Sequence, residues 1–288
     1  MPELAKPSLL VQAFRLPNTF LIILLFGLAA LRTPEQALTE LCAHGVGIWL
    51  VMLGGYLIND FYDQDTDKLN GRFQNFFLLG LSPLLGLWIY ALLNAFGLSI
   101  LIIKEWLLFG KVDLVGKPSV AVLVVVLLWV YAAYWKRVAL VGNILVAALV
   151  ALSVYWALEL TELSLLQKAY YILFAGVLNL MREIVKDLED LHGDLLTQAY
   201  TLPVWLGEVW TVVFVRVLLC GVFFLQVYFW TQDAIWHKDP PRIFYEAIFL
   251  VFYFKLFLLL KSQQAQASYV AMSLWIKLLF FWGILGLF

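Results

Sequence analysis

Charge is what this chain has least of. Only 14% of its 288 residues are Asp, Glu, Lys or Arg, against 64% hydrophobic residues, and its mean hydropathy is +0.90. Water-soluble domains carry roughly a quarter charged residues, so a soluble globular protein is excluded. The formal net charge of -1 provides no basic surface for nucleic acid, and no nucleic-acid motif occurs. Cysteine is equally scarce. Cys42 and Cys220 lie in apolar surroundings without CxxC spacing, which excludes a disulfide framework or thiolate metal site and reads as core filler. His44, His192 and His237 do not form a ligand set. Low-complexity linkers and features of an obligate protein partner are also missing. What remains is a single domain over 1–288 whose solvent is the lipid bilayer.

What is present in abundance is long apolar stretches. Nine can be read, at 18–31, 38–58, 78–103, 120–134, 138–158, 169–181, 209–231, 243–260 and 268–288. They are continuous rather than alternating, which favours membrane helices over a transmembrane barrel. The expected fold is all-α and polytopic, with nine transmembrane helices bundled around a central cavity. The fourth and sixth stretches are short for a bilayer that needs about 20 residues, so these helices are expected to run into their charged flanks. The first stretch follows Lys6 and Arg15 like a signal peptide, but eight further spans favour an uncleaved helix.

Basic residues in the loops set an expected orientation. With a cytoplasmic amino terminus, nine basic residues fall on that side, Lys136, Arg137, Arg182 and Lys186 among them, and seven on the other. The expected location is the inner membrane, with the functional face toward the cytoplasm. On the opposite side, Glu40, Glu105 and Glu159 read as acids scattered among bases. On the cytoplasmic side the acids gather in two places. Asp60, Asp63 and Asp67 in NDFYDQDTD are spaced D-x-x-D-x-x-x-D, as are Asp187, Asp190 and Asp194 in KDLEDLHGD. On a helix this spacing puts three carboxylates on one face. Ile184, Leu188 and Leu191 take another face of the second helix. With nine spans both windows emerge on one side of the membrane, at the ends of the second and sixth helices, where they can face one another.

Two such charges ~6 Å apart repel by roughly 3 kcal/mol at an effective dielectric of 20, so the windows call for water and cations. Magnesium is held by one or two carboxylates plus substrate phosphates, which turns an acidic wall into a diphosphate site. Arg72, Lys136, Arg182 and Lys186 lie near enough in sequence to take phosphate oxygens. An EF-hand is excluded, because Lys68 stands at its turn glycine and Gln74 at its bidentate glutamate. An ion carrier would need acids at mid-depth in the spans, and these are lacking.

The first window resembles the N-D-x-x-D-x-x-x-D signature of the UbiA family of intramembrane prenyltransferases, and the second resembles that family's D-x-x-D-x-x-x-D. RLPN at 15–18, YWKRVALVGN at 134–143 and TLPVWLG at 201–207 extend the likeness. REIVKDLEDLHGD is most similar to the digeranylgeranylglyceryl phosphate synthase branch. The resemblance implies a cavity binding an isoprenyl diphosphate and a lipophilic acceptor, with two Mg2+ ions between the signatures. Asn59, Asp60, Asp63 and Asp67 would hold one ion and the diphosphate; Asp187, Asp190 and Asp194 would hold the other. Lys136 and Lys186 would neutralise the leaving group, and aromatic faces such as Tyr56, Phe61, Tyr62, Tyr131 and Tyr134 would shield an allylic cation.

Arg15 reads either as an interfacial anchor or as a ligand for an anionic acceptor head, and Asn18 lies one turn deeper. Arg216, Glu246, Lys255 and Lys277 read as snorkelling or interhelical pairs; His192 reads as solvent-exposed. One segment departs from the family pattern. After the first signature the chain runs DKLNGRFQNFFLLGLSP, with Arg72 and no adjacent proline, where family members carry Arg-Pro followed by glycine. An aromatic-acceptor prenyltransferase of quinone type, a membrane terpene cyclase and a non-enzymatic carrier therefore stand beside the ether-lipid synthase at this point.

Overall fold

The computed structural model describes residues 15–71, 75–110, 116–232, 240–262 and 266–286. Among them the regular structure is helical, with one isolated bridge between Val138 and Tyr200. The helices are α1 Leu16–Ala30, α2 Leu38–Tyr62, α3 Gln64–Leu69, α4 Pro83–Phe109, α5 Lys117–Ala133, α6 Val141–Leu158, α7 Leu165–Leu196, α8 Leu202–Leu206, α9 Glu208–Gln232, α10 Pro240–Leu259 and α11 Gln266–Leu285. Each apolar stretch in the sequence lies on one of them. Among the described residues five helices are long and apolar enough to cross a membrane: Glu35–Tyr62, Pro83–Leu108, Val141–Leu158, Glu208–Thr231 and Gln266–Leu285. α1 and α5 are shorter apolar helices, and α7 continues from its apolar half through the charged second window.

Helix ends follow local chemistry. α4 begins at Pro83 rather than at residue 78, because Gly80 turns the chain at φ 103 and Ser82 accepts from the Leu85 N–H as a cap. α7 starts with a reciprocal capping box between Ser164 and Gln167.

The backbone divides into two compact units, Met1–Lys136 with Trp156–Glu162, and Arg137–Tyr155 with Leu163–Phe288. In the first, α2 packs against α1, α4 and α5. Its approach to α4 is close enough that a Cβ on Gly97 would stand 2.9 Å from the Gly47 carbonyl, so only glycine fits there. The outer face of α4 exposes Leu84, Trp88, Phe96 and Trp106, a surface suited to lipid rather than water. At the beginning of α2 the supposedly scattered charges are a network. Lys104 Nζ lies 3.1 Å from Glu40, 2.7 Å from Glu105 and 3.3 Å from His44 Nε2, while Lys117 bridges Glu40 and Glu159 at 3.1 and 2.9 Å. Lys104, Glu105 and His44 are buried, as charged groups can be when they are paired.

In the second unit α7 packs on α9 and α11 and buries Leu178, Met181, Ile184, Val185 and Leu188. Tyr170 donates to Gln226, which donates to Glu246 at 2.6 Å. Arg216 Nε donates to the Leu260 carbonyl at 2.9 Å. Tyr170, Gln226, Glu246 and Arg216 thus serve pairing between segments. Cys220 is half-buried, but Cys42 is exposed and so does not fill the core.

Candidate functional site

The first acidic window is assembled at the carboxyl end of α2. Asp60 is buried in its last turn. Asp63 lies outside the helix at φ −94 and ψ 0, closing α2 and opening α3, so the three aspartates do not share one continuous helical face. The expected stripe is broken because Asp63 adopts the bridge conformation. Its members are held individually. Arg15 Nη2 donates to Asp60 Oδ1 at 2.8 Å, and its guanidinium lies 4.7 Å above the Tyr56 ring. The Phe76 N–H donates to Asp60 Oδ2 at 3.2 Å. Lys136, in the turn Trp135–Arg137, forms an ion pair with Asp63, which also accepts from Asn59 Nδ2 at 2.5 Å. Asn75 Nδ2 donates to the Asp60 carbonyl at 2.7 Å and to Asp67 Oδ2 at 2.8 Å.

Arg15 reaches Asp60 from a left-handed backbone conformation, φ 48, immediately before α1. Asn18 is half-buried one turn on. Phe61 stacks edge-on with Tyr62 and with Phe77, whereas Tyr134 is largely exposed. Arg72 falls outside the described residues.

The second window is unbroken. Asp187, Asp190 and Asp194 all lie on α7, with Asp194 buried and the other two half-buried. Asn143 Nδ2 donates to Asp187 Oδ2 at 2.8 Å, and Thr201 Oγ1 donates to Asp194 Oδ2 at 2.9 Å. Those two donors stand on segments tied together by the Val138–Tyr200 bridge and by the Tyr200 N–H to Arg137 carbonyl bond of 2.9 Å. Leu140 and Gln198, each in a left-handed conformation, flank that junction. Burial, with Asp194 and Glu183 nearby, pushes the Asp187 carboxyl well above the ordinary carboxylate range, against the pull of Asn143 and Lys186. Lys186 is half-buried, Arg182 pairs with Glu183, and His192 is exposed.

Sequence reasoning missed Asn75, Asn143 and Thr201, which carry no charge to mark them. Asn143 and Thr201 nonetheless belong to YWKRVALVGN and TLPVWLG, whose likeness to a family pattern was the available signal.

Residues 20–284 match the UbiA prenyltransferase family. The chain belongs to that family. A digeranylgeranylglyceryl phosphate synthase of Sulfolobus acidocaldarius is 35% identical over 174 residues, 59% of this chain and 58% of that one. The chain spans little more than half the length of the first curated relatives it matches. Among solved structures, a digeranylgeranylglyceryl phosphate synthase superposes with TM-score 0.65 at 18% identity, covering 97% of this chain and 98% of that one. A UbiA homologue from Archaeoglobus fulgidus bound to GPP and Mg2+ gives 0.63 at 14%, covering 97% and 99%. The UbiA fold therefore extends over nearly the whole chain.

Magnesium fits the donor chemistry of this UbiA-family chain. Among the described residues no three His, Cys, Asp or Glu side chains converge as a ready-made cage, but magnesium needs only one or two carboxylates when phosphates complete its shell. Positive charge already stands at the first window as Arg15 and Lys136. At the second, Asp187 and Asp194 are hydrogen-bonded by neutral groups and the Asp194 charge raises the proton affinity of Asp187, which is the condition a divalent ion relieves.

Proposed function

We propose that the chain transfers an isoprenyl group from a prenyl diphosphate to a lipophilic acceptor, geranylgeranylglyceryl phosphate, in a magnesium-dependent step of ether-lipid synthesis. The observation that carries this reading is the pair of D-x-x-D-x-x-x-D windows, each at the carboxyl end of a helix and each fitted with polar side chains from neighbouring segments, in a UbiA-family chain. The names of the relatives support the acceptor. We propose further that one domain of nine spans surrounds the reaction cavity in the inner membrane, open toward the cytoplasm.

In this reading Asp60, Asp63 and Asp67 with Asn59 serve one Mg2+ and the diphosphate, and Asp187, Asp190 and Asp194 serve the other. Bound magnesium supplies charge to the departing diphosphate. Lys136 and Lys186 add to it from fixed positions; such preorganised charge acts where negative charge develops and requires little reorganisation. Arg15 fixes the Asp60 carboxylate, Asn75 fixes Asp67, and Asn143 and Thr201 orient Asp187 and Asp194. Asn18, Arg72 and Arg182 contribute to substrate binding. The allylic carbon loses its diphosphate, and the acceptor hydroxyl oxygen forms the new ether bond, releasing its proton.

Purified protein with magnesium and geranylgeranyl diphosphate, with and without acceptor, tests the reading by mass spectrometry of the extracted products. A diether phosphate formed only with acceptor is expected. A hydrocarbon or terpene alcohol formed without acceptor would replace the reading by cyclisation, and preference for a phenol or naphthol would replace the acceptor class.

A further inference from the structure

The polar face of α7 extends beyond its acidic stripe. At 100° per residue, Asn179, Arg182 and Lys186 occupy positions i, i+3 and i+7 and share one side of the helix. Asp187, Asp190 and Asp194 follow toward the carboxyl end on the same polar half, while Leu178, Met181, Ile184, Val185 and Leu188 form the buried apolar half. Two donors on the amino-terminal part of this face are unmatched. Asn179 is 9% exposed and its Nδ2 has no hydrogen-bond partner among the described residues; nor has Arg182 Nε, although Arg182 Nη1 bonds Glu183. Buried donors without partners are rare in folded chains, because each forfeits its hydration without replacement. Two of them one turn apart on the polar face of the helix that carries the second window point to a ligand oxygen.

We infer that Asn179 and Arg182 bind the anionic head of the lipid acceptor, at a subsite separate from the diphosphate. Amide Nδ2 and guanidinium Nε can only donate, so the group between them must be an acceptor. Glu183 takes one edge of the Arg182 guanidinium at Nη1, and the charge-assisted Nε–H beside it suits a phosphate oxygen over a neutral hydroxyl. The prenyl diphosphate is a poor occupant. At 1.5 Å per residue, Asn179 stands ~12 Å along the axis from Asp187, and the diphosphate belongs with the metal-binding carboxylates beyond it. A second phosphate at the amino-terminal end of the same face leaves the reacting carbon and hydroxyl to meet between the two heads. This subsite rests on the acceptor reading above.

Steady-state kinetics of Asn179→Ala, Asn179→Asp and Asn179→Gln test it, with magnesium, geranylgeranyl diphosphate and geranylgeranylglyceryl phosphate, alongside phosphate-free geranylgeranylglycerol as a second acceptor. Loss of one charge-assisted bond corresponds to about tenfold in affinity. Asn179→Ala should raise KM for the phosphorylated acceptor about tenfold and leave KM for the diphosphate and for the phosphate-free acceptor within about twofold. Asn179→Asp should be worse, and Asn179→Gln should recover part of the loss. An unchanged acceptor KM, or equal increases for both substrates with a lowered melting temperature, would overturn the subsite. If the wild-type protein turns over no acceptor, the function proposed above fails separately. Calorimetric titration of geranylgeranylglyceryl phosphate into nanodiscs then decides the subsite, since about tenfold weaker binding by Asn179→Ala supports it and equal or absent binding overturns it.

Discussion

Arg15 and Asp60, forty-five residues apart, form an ion pair at 2.8 Å in which the carboxylate is 3% exposed. The pair ties the start of α1 to the last turn of α2, and the Tyr56 ring beneath the guanidinium fixes its plane. Removing the cation leaves Asp60 buried with the Phe76 N–H as a remaining donor. Arg15→Gln should therefore lower unfolding stability by roughly 3 to 5 kcal/mol. Arg15→Gln/Asp60→Asn should recover much of that loss while remaining inactive. Thermal melts of the wild type, Arg15→Gln, Asp60→Asn and the double variant in one detergent measure the coupling; an Arg15→Gln variant that melts with the wild type would show that the pair contributes nothing.

The acidic windows should be needed for chemistry more than for folding. Asp63→Ala and Asp190→Ala should each reduce turnover at least about a hundredfold, the scale of losing one preorganised charge interaction; Asp190→Ala should melt near the wild type, whereas Asp63→Ala, which also removes the Lys136 ion pair, should melt lower yet remain folded. Excess chelator should silence the wild-type protein. Full turnover in chelator, measured by product formation, would eliminate the metal-dependent step.

The network around Lys104 lies about 20 residues, or ~30 Å, from Asp60 along α2, too far to touch the same ligand. Its substitution should act on stability alone. Lys104→Met leaves Glu105 and Glu40 without their shared cation and should cost about 3 to 5 kcal/mol, with KM for both substrates unchanged at temperatures where the variant is folded. A raised KM in the folded variant would connect this cluster to the reaction.

The proposed topology puts both windows on the cytoplasmic face. Cysteines at Gln64 and His192 in a Cys42→Ala/Cys220→Ala background should react with an impermeant maleimide only when inverted vesicles expose that face. Reaction from opposite sides would mean that the number of crossings between them is odd where the span count requires an even one.

The helices were legible because a bilayer demands long apolar runs, and each run marks its own helix. Their ends were less so. Residue 78 looks as apolar as residue 84, and only Gly80, Ser82 and Pro83 reveal where α4 begins. The acidic spacing disclosed both windows, yet it could not tell a continuous helix from one interrupted at Asp63, because a single residue in the bridge region leaves the spacing intact. The partners of the carboxylates were hidden for a different reason. Asn75, Asn143 and Thr201 are neutral and distant in sequence, so neither charge nor periodicity marks them. Glu40, Lys104, Lys117 and Glu159 looked scattered because they sit on separate segments; burial unites them.

The break at Asp63 makes the two windows mechanically unequal. On α7, moving Asp194 relative to Asp187 requires main-chain hydrogen bonds of an uninterrupted helix to stretch or break. On the other window, Asp67 rides a six-residue helix joined to α2 through one non-helical residue, so fewer main-chain hydrogen bonds fix its carboxylate relative to the buried Asp60. Asn75, bonded to both the Asp60 carbonyl and the Asp67 carboxylate, is the pin of that joint. The chain thus carries one window on a continuous helix and one set across a joint.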